Sequence, residues 1–270
     1  MDEFGQELTK QMVEQTAGNA YSDLVQPTAK SLETILNFIP GIIAAYFTKC
    51  QNWLINGKKS IELTAQAVQE KIQNIPEEKL TEPEANIAIP AIQQLSYCYD
   101  CEELRKMYAN LLVTSMNVDT KSSAHPAYVD IIKQLTPDEA KLLRIFPSTI
   151  NEAFPIINLN SKKKDMDEHN GILKNFSDIS YGICTYPDNI SAYLENFERL
   201  GLITFSTLGR LVDDSLYTKL KQHPYISSIL AKPLPDDSCY DFEERYFALT
   251  NFGLNFIKAC VIEDSTKTVN

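Results

Sequence analysis

The chain has 270 residues, 44% hydrophobic and 23% charged, an ordinary globular composition long enough to bury a core without disulfides or metals. Thirty-six acids against 25 bases give a net charge of −11, which disfavours general attraction to DNA, RNA or anionic lipid. Nine glycines, under half the usual share of about 7%, speak against a site built on glycine-rich phosphate loops.

In chain order, residues 1–20 are a polar tail. Its opening, MDEFGQELTKQMVEQ, is acidic and carries no secretory signal, so a cytoplasmic setting is expected. From Pro27, the residues Ala29, Leu32, Ile35, Leu36 and Ile39 recur at helical spacing until Pro40-Gly41 interrupts them. Further helices are predicted over about 42–55 and 58–73, the latter with Ile61, Thr64, Ala65, Val68 and Ile72 on one face. The apolar run Leu36–Phe47 is shorter than the roughly 20 residues a membrane span needs, and reads as a buried helix. The alternative is an amphipathic, membrane-touching hairpin with Phe38, Ile42, Ile43, Phe47 and Trp53 as contact residues, flanked by Lys49, Lys58 and Lys59.

Pro76, Pro83 and Pro90 predict an extended, loop-like stretch. Asp100 with Glu103 predicts a capped helix carrying Leu104, Met107, Tyr108, Leu111, Leu112 and Ser115. Pro126 opens another, with Tyr128, Ile131, Ile132 and Leu135 inside. Thr136-Pro137-Asp138-Glu139 is a capping box, which accounts for both acids and starts a helix bearing Ala140, Leu142, Leu143 and Phe146.

Past residue 150 the pattern changes. Phe154–Leu159 reads as a strand, 160–172 as a charged loop, and Asp188 as the cap of a helix with Tyr193, Leu194, Phe197 and Leu200 inside. Strands are predicted at Leu202–Ser206 and Tyr246–Leu249, a helix at Asp214–Lys221, and a final helix capped by Thr250 with Phe252, Phe256, Ile257 and Cys260. The expected fold is therefore mainly α, with a small β part. A helical domain over 21–134 is followed by a winged-helix-like domain over 135–262. That second domain has a two- to three-stranded wing, the loop 160–172, an insertion over 207–244 and, beyond it, a tail at 263–270. A DNA-reading helix offers bases and amides to the duplex. This one offers Glu195, Asn196, Glu198 and Arg199, and residues 176–262 hold eleven acids against seven bases. Nucleic-acid binding is disfavoured, and protein interaction is expected.

Six cysteines are spread along the chain, with one C-x-x-C at Cys98 and Cys101. A structural zinc site needs four ligands, and His125, His169 and His223 show no ligand spacing. No catalytic, metal-binding or cofactor-binding residue is predicted, and no cofactor is expected. The candidate interaction residues are Arg105 and Asn110, off the apolar stripe of their helix, His125 before Pro126, and Lys133. Their alternative reading is a solvated face or, for His125, a helix-start lock.

Two stretches carry a family resemblance. One runs from Asn86-Ile87-Ala88-Ile89-Pro90-Ala91-Ile92 into Glu102-Glu103-Leu104-Arg105-Lys106-Met107-Tyr108-Ala109-Asn110-Leu111-Leu112. The other is Ala124-His125-Pro126-Ala127-Tyr128-Val129-Asp130-Ile131-Ile132-Lys133-Gln134-Leu135, followed by Thr136-Pro137-Asp138-Glu139-Ala140-Lys141-Leu142-Leu143. Together they resemble the Abi-alpha (abortive infection alpha) family over roughly residues 20–262. The resemblance implies a bacterial or prophage-borne protein of phage defence, and it supplies no catalytic residues or substrate. The expected role is non-enzymatic and works through protein partners, with homo-oligomerisation left open. The alternatives are a membrane-acting effector using residues 32–56, and a winged-helix nucleic-acid-binding regulator.

Overall fold

The computed structural model describes residues 57–262 apart from 96, 99, 147–148, 150–151, 164–168 and 236. The chain forms two compact units that divide between Val129 and Asp130.

The first unit is helical. Helices α1 (Gly57–Ile72), α2 (Ala85–Leu95) and α3 (Glu102–Ser115) pack on one another. Ile61, Ala65 and Val68 of α1, Ile87, Ala88, Ala91, Ile92 and Leu95 of α2, and Met107, Tyr108, Leu111 and Leu112 of α3 are all buried. Ser60 Oγ donates to the Leu95 carbonyl, a buried bond that fixes α1 to the end of α2.

The stretch expected to be extended up to Pro90 is instead helical from Ala85. A proline removes the bond to the carbonyl four residues back, here Asn86, which is exposed, so water replaces the missing donor. Burial of five apolar side chains on one face outweighs that single loss. The cap of α3 also differs from expectation. Cys101, not Asp100, is its N-cap residue, and its side chain makes no capping hydrogen bond.

Helix α4 (Ala127–Lys133) spans the division between the units. The second unit then opens with α5 (Pro137–Leu143). Its capping box forms as predicted: Glu139 N donates to Thr136 Oγ1 at 3.2 Å and Thr136 N to Glu139 Oε2 at 2.6 Å. Four antiparallel strands follow, in sheet order β2-β1-β4-β3: β1 (Ala153–Lys163), β2 (His169–Phe176), β3 (Ile203–Phe205) and β4 (Ser238–Leu249). Helix α6 (Ile190–Arg199) lies against both edge strands. Helices α7 (Asp214–Lys221) and α8 (Pro224–Leu230) connect β3 to β4, and α9 (Asn251–Phe256) runs into a π-turn at Ile257–Val261.

This is an α/β arrangement, and it overturns the mainly α fold with a winged-helix-like domain. A wing is a short hairpin of consecutive strands, but β3 and β4 pair only from Ile203↔Leu249 to Phe205↔Phe247. The main partner of β4 is β1, in unbroken register from Ala153↔Ala248 to Lys163↔Ser238. Much of the expected insertion 207–244 is therefore helix α7, helix α8 and a central strand. The expected loop 160–172 holds the paired ends of β1 and β2, from Asn160↔Gly171 to Lys162↔His169. Polar residues conceal both strands, because a paired backbone needs no apolar side chain once it extends beyond the core.

Successive strand residues face opposite sides of the sheet. Phe154 and Phe247 stack at 5.1 Å on one face, where Phe146 lies 5.3 Å from Phe154 and 5.9 Å from both Phe197 and Phe247. On the other face, Phe176 packs on Tyr225 and His223, and Phe242 lies under Lys221 of α7. Helices thus cover both faces. Buried Asn158 pins the bulge in β2. Its Oδ1 accepts from Asn175 N at 2.7 Å, and its Nδ2 donates to Glu243 Oε2 at 2.7 Å. Asn175 itself has φ 54, a conformation asparagine tolerates better than most residues.

Candidate functional site

Each sequence-predicted residue that the structure describes has its own setting. Arg105 is half-buried, and its Nη1 donates to the Cys98 carbonyl at 2.8 Å. It therefore clamps the turn between α2 and α3. Asn110 is buried within α3. His125 is exposed. Its Nδ1 accepts from Ala127 N at 3.1 Å and its ring lies 5.7 Å from Tyr128, so it locks the start of α4. Lys133 stands exposed in the last turn of α4. Phe38, Ile42, Ile43, Phe47 and Trp53 lie outside the described residues. Among the described residues no helix is long and apolar enough to cross a membrane, and no group of three or more His, Cys, Asp or Glu is placed to hold a metal.

Cys98 and Cys101 are both buried. Burial, with the neighbouring Cys101, pushes the Cys98 thiol up to about 11, and burial also raises Cys101. A reactive thiol needs the opposite setting, one that favours thiolate.

A site that the sequence did not announce centres on Asp138. The capping box uses Thr136 and Glu139, leaving the Asp138 carboxylate, which is 4% exposed, to turn elsewhere. Its Oδ1 accepts from Thr185 N at 2.9 Å and from Lys141 Nζ at 3.2 Å. Its Oδ2 accepts from Tyr186 N at 2.8 Å and the Tyr193 hydroxyl at 3.2 Å. Burial alone would raise this carboxyl, but the two amide donors and Lys141 hold it down to about 2. The same burial and the Asp138 charge push the Cys184 thiol up to about 11. Burial leads in pushing the Tyr193 hydroxyl up to about 12. At neutral pH the cluster is thus an ionised, fully occupied acceptor surrounded by protonated groups.

What the cluster does is fix a loop. Asp138 binds two consecutive amides of that loop, and Tyr193 of α6 returns a bond to the Tyr186 carbonyl at 3.2 Å. Tyr186 is clamped through its backbone while its side chain stands 67% exposed. Asn196 reinforces the α5–α6 joint, donating to Glu139 Oε1 at 2.7 Å and to the Gln134 carbonyl at 3.3 Å. Arg199 donates to Gln134 Oε1 at 3.0 Å. The two residues of this helix best suited to a nucleic acid are engaged within the chain. Asp188, expected as the α6 cap, instead accepts from the Tyr181 hydroxyl at 2.6 Å, and no side chain caps α6. The sequence reading gives both acids of this turn to the capping box, but the box needs only Thr136 and Glu139, so that reading hides Asp138, whose carboxylate serves the 185–186 loop instead. Its partners lie 47 and 48 residues further on, beyond any local pattern.

Comparison with known proteins gives one family. No curated protein and no solved structure matches the chain significantly. The family model described as abortive infection alpha matches residues 56–260, a span that contains both resembling stretches and the whole Asp138 cluster. The chain belongs to the abortive infection alpha family.

Proposed function

We propose that the chain is a bacterial phage-defence protein that acts in the cytoplasm by binding protein partners, without catalysis or a cofactor of its own. Family membership supplies the abortive-infection setting. The observation that carries the partner reading is Tyr186, an aromatic side chain held out to solvent on a loop whose backbone is bonded to a buried carboxylate. Binding hot spots favour Tyr, Trp and Arg. A rigid aromatic loses little conformational freedom on docking. Asp138, Lys141 and Tyr193 beside it are engaged in holding that loop.

The test is a phage challenge of cells expressing the wild-type chain or Tyr186→Ala, with survival scored at low and high phage dose. The wild type is expected to protect the culture at low dose and to lose cells at high dose. Tyr186→Ala is expected to fold normally, since the ring is exposed, and to lose protection. Protection that survives Tyr186→Ala but vanishes with a single exposed acid or histidine would overturn the reading in favour of chemistry.

A further inference from the structure

The loop 206–213, between β3 and α7, turns apolar side chains outward from a fastened base. Leu208 and Val212 are 89% and 97% exposed, the highest values for large apolar side chains among the described residues. The backbone beneath them is held at several points. Arg245 Nε donates to the Ser206 carbonyl at 2.9 Å, Ser206 Oγ to the Gly209 carbonyl at 3.3 Å, and Leu211 N to the hydroxyl of buried Tyr217 at 2.9 Å. Gly209 has φ 91, a turn that glycine makes without strain. Arg210, the loop's one cation, is spent at the base, where it pairs with Glu244 and with Asp214. Asp213 follows Val212 directly. Its carboxylate caps α7, accepting from Ser215 N at 2.9 Å and Ser215 Oγ at 2.6 Å. These donors are neutral and hold the Asp213 carboxyl below its ordinary range, so a negative charge stands beside the apolar tip.

We infer that the tip of this loop inserts into an apolar cleft of a protein partner, with Leu208 and Val212 inside the cleft and a Lys or Arg at its rim facing Asp213. The inference rests on the partner-binding reading and names a second anchor beside Tyr186. Two aliphatic side chains on a convex loop lose their water only against a concave surface, and a loop already fastened loses little freedom on entering one. A carboxylate at the edge of the tip fits a rim of opposite charge. The same charges disfavour other occupants. A lipid surface meets no unpaired cation here, since Arg210 is engaged with two acids, and it meets a carboxylate next to Val212. A second copy docked tip to tip would bring the two Asp213 carboxylates toward each other.

The test places a benzophenone amino acid at Thr207, exposed and next to Leu208, in the full chain expressed in phage-challenged cells. Irradiation is expected to give a discrete adduct with a different protein. Val212→Asp is expected to cut its yield about tenfold, and Asp213→Asn, which keeps a cap on α7, about threefold. In parallel, Leu208→Asp combined with Val212→Asp is expected to abolish phage protection, and Leu208→Ile combined with Val212→Ile to retain it. Urea unfolding of these variants is expected to match the wild type, because both side chains are exposed. The inference would be overturned by no adduct, by an adduct of two copies of this chain, or by an adduct indifferent to Val212→Asp. Flotation of the purified chain with phosphatidylcholine vesicles that Val212→Asp abolishes would overturn it in favour of a lipid surface. Protection lost with Tyr186→Ala but kept by the double aspartate variant would remove this loop and leave the partner-binding reading in place. An adduct with the expected dependence, in a chain that gives no protection, would support the loop and count against the phage-defence reading alone.

Discussion

The two units are held together differently. In the helical unit, the buried face of each helix is largely an apolar stripe, bridged by buried bonds from Ser60 to the Leu95 carbonyl and from Tyr108 to the Val129 carbonyl. In the mixed unit, buried or half-buried polar side chains bridge distant parts of the chain: Asp138 to the 185–186 amides, Asn158 to Asn175 and Glu243, Tyr217 to the Arg245 carbonyl, Arg245 to the Ser206 carbonyl, and Thr250 to the Gly201 carbonyl. An apolar stripe tolerates a change of shape but not of polarity. A polar bridge tolerates neither the loss of its acceptor nor a shift of the backbone it holds.

The sharpest way to break this comparison is one substitution in each unit. Leu111, fully buried in α3, changed to Asp puts an unpaired carboxylate into an apolar stripe. It is expected to lower stability by about 4 kcal/mol or more, read as loss of exchange protection over α1–α3. In the mixed unit the corresponding weak point is a backbone contact. A Cβ added at Gly253 would lie 1.9 Å from the Leu202 carbonyl oxygen, and that carbonyl also accepts from Thr250 N. Gly253→Ala is therefore expected to cost about 3 kcal/mol, with exchange protection lost first at β3 and α9. If Gly253→Ala proves harmless while Leu111→Asp unfolds the chain, both units rest on apolar burial alone.

Asp138 sharpens the contrast further, because its contribution depends on pH. The carboxyl lies near 2 when folded, against an ordinary value of 3.8. A depressed folded value stabilises above the unfolded value and is lost as pH falls toward the folded one. The downward shift corresponds to about 2 kcal/mol, present at pH 5 and fading between about pH 4 and 2. Asp138→Asn presents an amide nitrogen to donors and is expected to lose a similar amount at neutral pH. Urea unfolding of both proteins from pH 6 to 2 checks this. The gap between them should close as the acid is titrated. A gap that stays constant with pH would mean that packing, not charge, is what Asp138 supplies.

The same division sets what was legible in the sequence. Apolar positions three and four apart located α1 and α3, and local caps located α5 and α9, because each signal lies within a few residues of what it fixes. Pro90 misled, since its lost bond falls on an exposed carbonyl. The ends of β1, β2 and β4 were hidden by Ser161, Lys162, Lys163, Asn170 and Ser238-Cys239, polar text that reads as loop. The winged-helix expectation failed at the same place. The short apolar runs at 154–159 and 246–249 are the middle of β1 and the end of β4, whose pairing joins residues some 75 to 95 positions apart. Local spacing carries no information about which strands pair. The clamped loop that carries Tyr186 followed only once Asp138 had found its partners.

The smallest of these effects tests the legible side alone. Thr136 was readable as a cap from four consecutive residues, and its hydroxyl accepts from Glu139 N as expected. Thr136→Ala removes that acceptor from an exposed helix start, so water can take its place. A loss of about 1 kcal/mol is expected, smaller than for Asp138→Asn although the two residues are neighbours in the same turn. Glu139 keeps Asn196 bound through Oε1, so the α5–α6 joint should hold and exchange at Thr185 and Tyr186 should not change. Faster exchange at those two amides in Thr136→Ala would show that the local cap and the long-range latch are one device, and that the difference between the two kinds of bond is one of distance in sequence only.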